Sequence, residues 1–330
     1  MRVTQLRIYP VKSFGGGLVD EALVQPWGLA GDRRWALVDE AGDILTAREV
    51  HGLLALRAAI VDDETIRITA PSGESILVDT PLGLGPVPVS LSRQGFAAPA
   101  DEDVNQWLSR QVGRRVRLVW QEDPTVRSIS GAMGGMPNES LSFADAGPLL
   151  LTSEASLDQL GAWMAEDVDE PDVPELDPDD LSDKALGDHG PAQLDMLRFR
   201  PNVVIDGSVP FAEDTWATVR IGEVELRTTM VCDRCVMTTI DPVTLAGGKE
   251  PIRTLARHRR WDRKTWFGTR LVALGEGSIR VGDEIAPGRA PRPDSSHPEP
   301  AARVGRPAVS PAPPVGEMRL RPLAEPGRSA

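Results

Sequence analysis

VCDRCVMTTIDP, residues 231–242, contains both cysteines of a 330-residue chain. A C-x-x-C pair has three chemical meanings, and each places the segment in a different fold. A structural zinc site needs four ligands, yet there is no second C-x-x-C and only four histidines, of which His189 and His297 fall in polar, proline-bearing stretches. A thioredoxin-like pair sets its first thiol at a helix N-terminus, which lowers the thiol pKa. Here Val236, Thr238, Thr239 and Ile240 are mostly β-branched and Asp241-Pro242 follows at once, a pattern that predicts strand and turn. The third meaning is a single thiolate on a soft metal centre, with the Arg234 guanidinium favouring the ionised sulfur. Two small buried apolar thiols are the plain alternative.

Outward from the pair, several segments offer groups that an anionic ligand needs. In IYPVKSFGGG, Lys12-Ser13 follow a strand and precede three glycines, so the loop can bring backbone N–H groups close to a ligand. Arg33 sits between a glycine-rich turn and a strand in GLAGDRRW. Thr152-Ser153 stand at a predicted helix start, where hydroxyls and free amides can hold an anion. Pro201 predicts an extended Arg200 in RFRPN. Each of these is also an ordinary surface or capping residue taken alone. Asp241 is read either as a carboxylate near the thiol or as the cap of its own turn. The loop 130–140 and the basic helix RTLARHRRWDRK at 253–264 are candidates for an entrance wall and a docking face, or for a plain connection and a solvated surface.

The flanks are β-rich. Thr4–Tyr9, Trp35–Val38, Thr65–Thr69, Ile76–Val78 and Arg115–Trp120 alternate or carry β-formers between Gly and Asp turns. A helix fits Asp101–Val112, stopped at Gly113, and a second carries Leu157, Leu160 and Met164. A Gly222-Glu223 hairpin leads into the cysteine segment, Pro251 opens a helix, and LVAL and SIRV supply closing strands. The fold class expected is α+β, β-rich, with barrel-like sheets and flanking helices.

The net charge is −13, but ten acidic residues between Glu166 and Asp183 supply roughly three quarters of it. From Pro287 to Ala330 the chain has eleven prolines and almost no large apolar residue, which predicts a disordered tail. No apolar run is long enough to span a membrane and no secretory leader is visible. The expectation is a cytoplasmic protein that binds neither nucleic acid nor membrane.

Taken together, IYPVKS, GDRRW with TARE, FADAGPLLLTSEASL, RFRPNVVIDG, CDRCVMTTIDP, EPIRTLARHRR, FGTRL and IRVGDEI resemble the MOSC-domain proteins that carry an N-terminal β-barrel domain, the subgroup of the mitochondrial amidoxime reducing component. The resemblance implies an N-terminal barrel domain over 1–120, a MOSC domain over 121–286 with an acidic disordered insertion near 166–190, and a proline-rich tail over 287–330. It implies a molybdenum cofactor (Mo-molybdopterin) with Cys235, not Cys232, as protein ligand to the metal. Lys12, Ser13, Arg33, Thr152, Ser153, Arg200, Asn202 and Arg234 match positions that bind the pterin phosphate and ring edges. The chain departs from the mitochondrial proteins at Asp233, where they carry serine, and the acidic side chain is expected to turn away. The resemblance further implies reduction of small N-hydroxylated compounds with electrons from a separate transfer protein or reductase, and attaches pyridoxal phosphate binding to the family. A cofactor or sulfur carrier that uses Cys235 without turnover is the alternative.

Overall fold

Period-two burial marks several strands, as in Glu21–Gln25 and Thr65–Thr69, where alternate side chains are buried. Lys264–Ala273 differs: eight consecutive residues are buried, the mark of a strand covered on both faces. It sits centrally in a nine-stranded sheet. On one side it pairs with Val224–Arg234, then Thr218–Ile221 and Ile285–Gly288; on the other with Leu149–Ser153, Val203–Ile205, Val3–Ile8 and Gly17–Val19. The pairings along this path are antiparallel except Leu149–Ser153 with Val203–Ile205. The first strand of the chain therefore lies in the sheet that carries the cysteines.

The computed structural model describes residues 1–167 and 194–288, which fall in one compact unit, Met1–Pro291. The acidic insertion lies outside the described residues, save its first two, and so does the tail from 289 onward. Pro287 and Gly288 end a strand, so regular structure runs two residues past the expected start of the tail.

Residues 35–120 form two smaller sheets, one of them Arg57–Ile60, Thr65–Thr69 and Ser75–Asp79, over a core that includes Phe14, Trp35, Leu37 and Leu108. The helix Glu102–Val112 begins at Asp101 and ends at Gly113, whose φ of 75° supplies the left-handed cap. A second core gathers Val3, Leu6 and Leu29 with Leu149, Leu151, Val219 and Leu271. The helix Glu154–Glu166 starts where the Ser153 hydroxyl accepts from the Ser156 N–H at 3.1 Å. The architecture is α+β and β-rich, as the sequence predicts.

One local expectation fails. Val236–Thr239 is a turn of 3-10 helix, not strand. The Thr238 and Thr239 hydroxyls donate back to the carbonyls of Cys235 and Val236 at 3.1 and 2.8 Å, which holds a β-branched run in a helical turn.

Candidate functional site

Cys235 closes the strand Val224–Arg234 in extended backbone, φ −122° and ψ 176°. Residues of an extended segment alternate between faces, and the burial follows: Cys232 and Arg234 are buried, while Asp233 and Cys235 are partly open. Cys235 faces a cavity of about 150 Å³, far larger than the roughly 15 Å³ that one ordered water requires. The cavity brings together every residue expected to bind the cofactor except Thr152 and Ser153.

Those two are corrected. Thr152 is fully buried with its hydroxyl against the Met196 sulfur at 3.2 Å. Ser153 is spent on capping its helix and on the Ser156 and Glu213 side chains. Their polar atoms are used inside the fold, so the helix start is a cap and not an anion site.

The cationic residues are held by backbone that the sequence does not advertise. Ser13, Arg33 and Arg200 have φ of 68°, 49° and 53°, the left-handed region that costs a side-chain-bearing residue energy and persists where surroundings enforce it. Arg200 is not extended as Pro201 suggests, because its N–H closes a turn on the Leu197 carbonyl at 3.1 Å. The Arg33 N–H donates to the Tyr9 carbonyl at 2.7 Å, and its guanidinium to Asp32 at 2.5 Å, Asn202 Oδ1 at 3.2 Å and the Arg200 carbonyl at 3.2 Å. Asn202 is wholly engaged: its Oδ1 also accepts from the Leu150 N–H, and its Nδ2 donates to the Arg7 carbonyl, each at 3.2 Å. Lys12 Nζ donates to the Phe143 carbonyl at 3.0 Å and pairs with Asp145.

Arg234 lies under the cysteine strand. Its Nε donates to the Phe267 carbonyl at 2.9 Å and its guanidinium covers the Phe199 ring at 5.2 Å. Phe199 and Phe267 stack at 4.0 Å, a contact that contributes about 0.5–1.5 kcal/mol beyond burial and fixes the floor on which Arg234 rests. The Nη2 atoms of Arg200 and Arg234 are buried and have no hydrogen-bond partner. Burial, with Arg33 nearby, lowers Arg200 to about 10. Burial likewise lowers Arg234, and it lowers Lys12 against the opposing pull of Asp145. Desolvated cations with unspent N–H groups are stabilised by an anion that accepts from them.

Three further residues, Arg270, Arg198 and Arg127, support the site without a signal in the sequence. Arg270 lines the cavity with its guanidinium on Asp233. Arg198 spans from the cavity to Asp241 at 2.7 Å and to the Thr239 carbonyl at 3.2 Å, which fixes the turn behind Cys235. Asp241 Oδ1 accepts from the Val243 and Thr244 amides at 3.0 and 2.8 Å, so it caps its own turn. Arg127, 2% exposed, gathers the carbonyls of Ser92, Ser142 and Ala144 and shapes the wall that carries Asp145. Asp233 lines the cavity, contrary to the expectation that it turns away. Burial raises its carboxyl, but Arg270 and Lys264 outweigh that and hold it below the ordinary carboxylate range.

Other expectations fall away. Gly15, Gly16 and Gly17 do not line the cavity, and the Gly15 N–H is spent on the Leu56 carbonyl at 2.8 Å. The loop 130–140 contributes no lining residue; Arg227 anchors it through Glu139 at 2.6 Å. No cluster of three or more His, Cys, Asp or Glu able to hold a metal occurs among the described residues; both Cys232, which is buried, and Cys235, which is partly open, line the cavity. No helix among the described residues is long and apolar enough to cross a membrane.

Comparison with known proteins bears on this geometry. The MOSC N-terminal beta barrel domain matches residues 1–115 and the MOSC domain residues 138–286. The chain is 32% identical over 303 residues to mitochondrial amidoxime-reducing component 1 of Mus musculus, covering 86% of this chain and 81% of that protein. It is 30% identical over 304 residues to the Homo sapiens protein of that name, covering 86% and 82%. It is also 30% identical over 303 residues to molybdenum cofactor sulfurase of Oryza sativa subsp. japonica, covering 85% of this chain and 35% of that protein.

These relatives overturn the cytoplasmic placement. Those matched over most of their length are named mitochondrial, and the lack of a secretory leader, on which the placement rested, does not separate one compartment from another. Pyridoxal phosphate finds no support in these names and is dropped. With both domains matched in chain order, and 32% identity along most of both lengths, the chain belongs to the MOSC-domain proteins that carry the N-terminal β-barrel domain.

Proposed function

We propose that the chain is a molybdenum-cofactor-dependent reductase that removes the oxygen from N-hydroxylated compounds, giving amine and water. Family membership supports a molybdenum-cofactor-binding oxidoreductase, and the relatives named amidoxime-reducing components support the substrate class. The single observation that carries the reading is the set of buried cations around Cys235, two of them with a guanidinium nitrogen that has no partner. That donor set fits a ligand that is both anionic and rich in acceptors.

Cys235 would hold the metal. Lys12, Ser13, Arg33, Arg200 and Arg234 would hold the phosphate and polar ring edges, with Asn202 keeping Arg33 and the Leu150 backbone in place. Thr152 and Ser153 have no part in this. When bound, the cofactor supplies two-electron oxygen-atom chemistry at the N–O bond. The protein orients the cofactor through fixed cations and presents Cys235 on the open face of its strand. Each turnover consumes two electrons and two protons, and a separate donor protein supplies the electrons.

Protein made in a molybdopterin-competent host tests the reading. Wild type and Cys232→Ser are expected to carry about one molybdenum per chain, and Cys235→Ser much less. Wild type is expected to reduce a hydroxylamine when given a donor. Molybdenum retained equally by both variants would sink the ligand assignment. Sulfur bound at Cys235 without metal or turnover would favour a carrier instead.

A further inference from the structure

We propose that Asp233 selects among N-hydroxylated substrates by accepting from an N–H group beside the N–O bond, as an amidoxime or N-hydroxyguanidine presents, and that Lys264 competes for that acceptor. The proposal rests on the reductase reading and adds a substrate determinant to it.

Asp233 and Cys235 share the open face of one strand, two residues apart. Among the described residues, the carboxylates that line the cavity are Asp145 and Asp233. Asp145 pairs with Lys12 through Oδ1. The other charged groups there are cations, including Arg33, Arg48, Arg200 and Arg234, and alone they would favour anionic or acceptor-bearing substrates. Of the two carboxylates, Asp233 is the acceptor two residues from Cys235.

Its two oxygens have unequal partners. Oδ1 is held by Arg270, whose side chain is 9% exposed. The Arg270 stem is packed on Gly147, where an added Cβ would stand 3.0 Å from Arg270 Cβ, and its Nη1 rests 3.6 Å from the Met133 sulfur. Arg270 is therefore a fixed positioning residue. Oδ2 meets Lys264 at 3.1 Å, with the lysine side chain 44% exposed, and an ion pair so open to water contributes little. A substrate N–H can displace it. Charge-assisted hydrogen bonds exceed neutral ones in strength, so the preference follows from charge and not from shape alone.

Benzamidine, an amidinium without an N–O bond, and benzamide, its neutral counterpart, are suitable probes by calorimetry on the molybdenum-loaded full chain. Asp233→Asn is expected to weaken benzamidine relative to benzamide by about tenfold, and Lys264→Ala to tighten benzamidine several-fold. In turnover, the kcat/KM ratio of an N-hydroxyguanidine over an N-oxide should fall about tenfold in Asp233→Asn. An unchanged benzamidine-to-benzamide ratio in Asp233→Asn overturns the proposal. If that variant does not fold or load, Lys264→Ala decides alone, and no tightening overturns it. Benzamidine preference kept by a protein that reduces no N–O compound would support the Asp233 site and sink the reductase reading.

Discussion

The Arg200 guanidinium lies 4.2 Å from the centre of the Tyr9 ring, and Tyr9 is 1% exposed. Arg33 covers the same ring at 4.7 Å. One aromatic side chain thus supports two cations that would otherwise repel each other, and each contact contributes roughly 0.5–2 kcal/mol when desolvated. The Tyr9 hydroxyl is buried without a partner, so the ring and not the oxygen does the positioning. Tyr9→Phe is expected to unfold in urea within about 1 kcal/mol of wild type and keep its molybdenum. Tyr9→Leu is expected to lose about 2 kcal/mol and most of the metal. Equal molybdenum in the two variants would remove Tyr9 from the site's support.

The glycine run after Lys12-Ser13 reads in the sequence as an approach to a ligand, and the structure gives it another purpose. A Cβ on Gly16 would stand 2.2 Å from the Ile8 carbonyl oxygen and 2.6 Å from Tyr9 Cδ1, whereas one on Gly17 would meet nothing within 4 Å. Gly16 lets the chain double back over the first strand so that Tyr9 faces the arginines. Gly16→Ala is expected to cost about 2–3 kcal/mol, because backbone on both sides must move. Gly17→Ala should be neutral or gain about 0.5 kcal/mol from a less flexible unfolded chain. Denaturant midpoints measure both, and similar midpoints would show that the close approach does not set the fold here.

What the sequence makes legible is local. Alternation locates Thr65–Thr69 and Ile76–Val78, and Gly113 ends its helix as expected. Cys235 and the cations of IYPVKS, GDRRW and RFRPN do meet in one cavity. What escapes is set by distant pairing. Arg270 reaches Asp233 because their strands pair with an irregular register between Val231 and Asp233, and no one-dimensional pattern encodes that. Thr152 and Ser153 fail for the opposite reason: their local signal is real, since Ser153 caps its helix, but the sheet buries them away from the cavity. Val236–Thr239 escapes because two threonine hydroxyls, not β propensity, decide its turn.

Glu213 shows how a buried carboxyl links stability to pH. It is 1% exposed, with Ser156 Oγ donating to it at 2.7 Å and Ser153 Oγ near both its oxygens at 3.3 and 3.4 Å. Burial raises its pKa above the ordinary 4.5, and the Ser156 hydrogen bond offsets only part of that. The sign follows from linkage. A carboxyl with a raised folded pKa favours the folded state most when protonated, below about 4.5, and that contribution is lost as pH rises through the folded pKa. Glu213→Gln keeps an acceptor for Ser156 and has no charge to bury. The variant is therefore expected to gain on wild type as pH rises from about 5 to 8, with the two converging toward pH 4.5. Urea unfolding at four or five pH values reads the difference directly. A gap that stays constant over that span would mean Glu213 ionises in the fold as readily as in the unfolded chain, and the burial argument would be wrong.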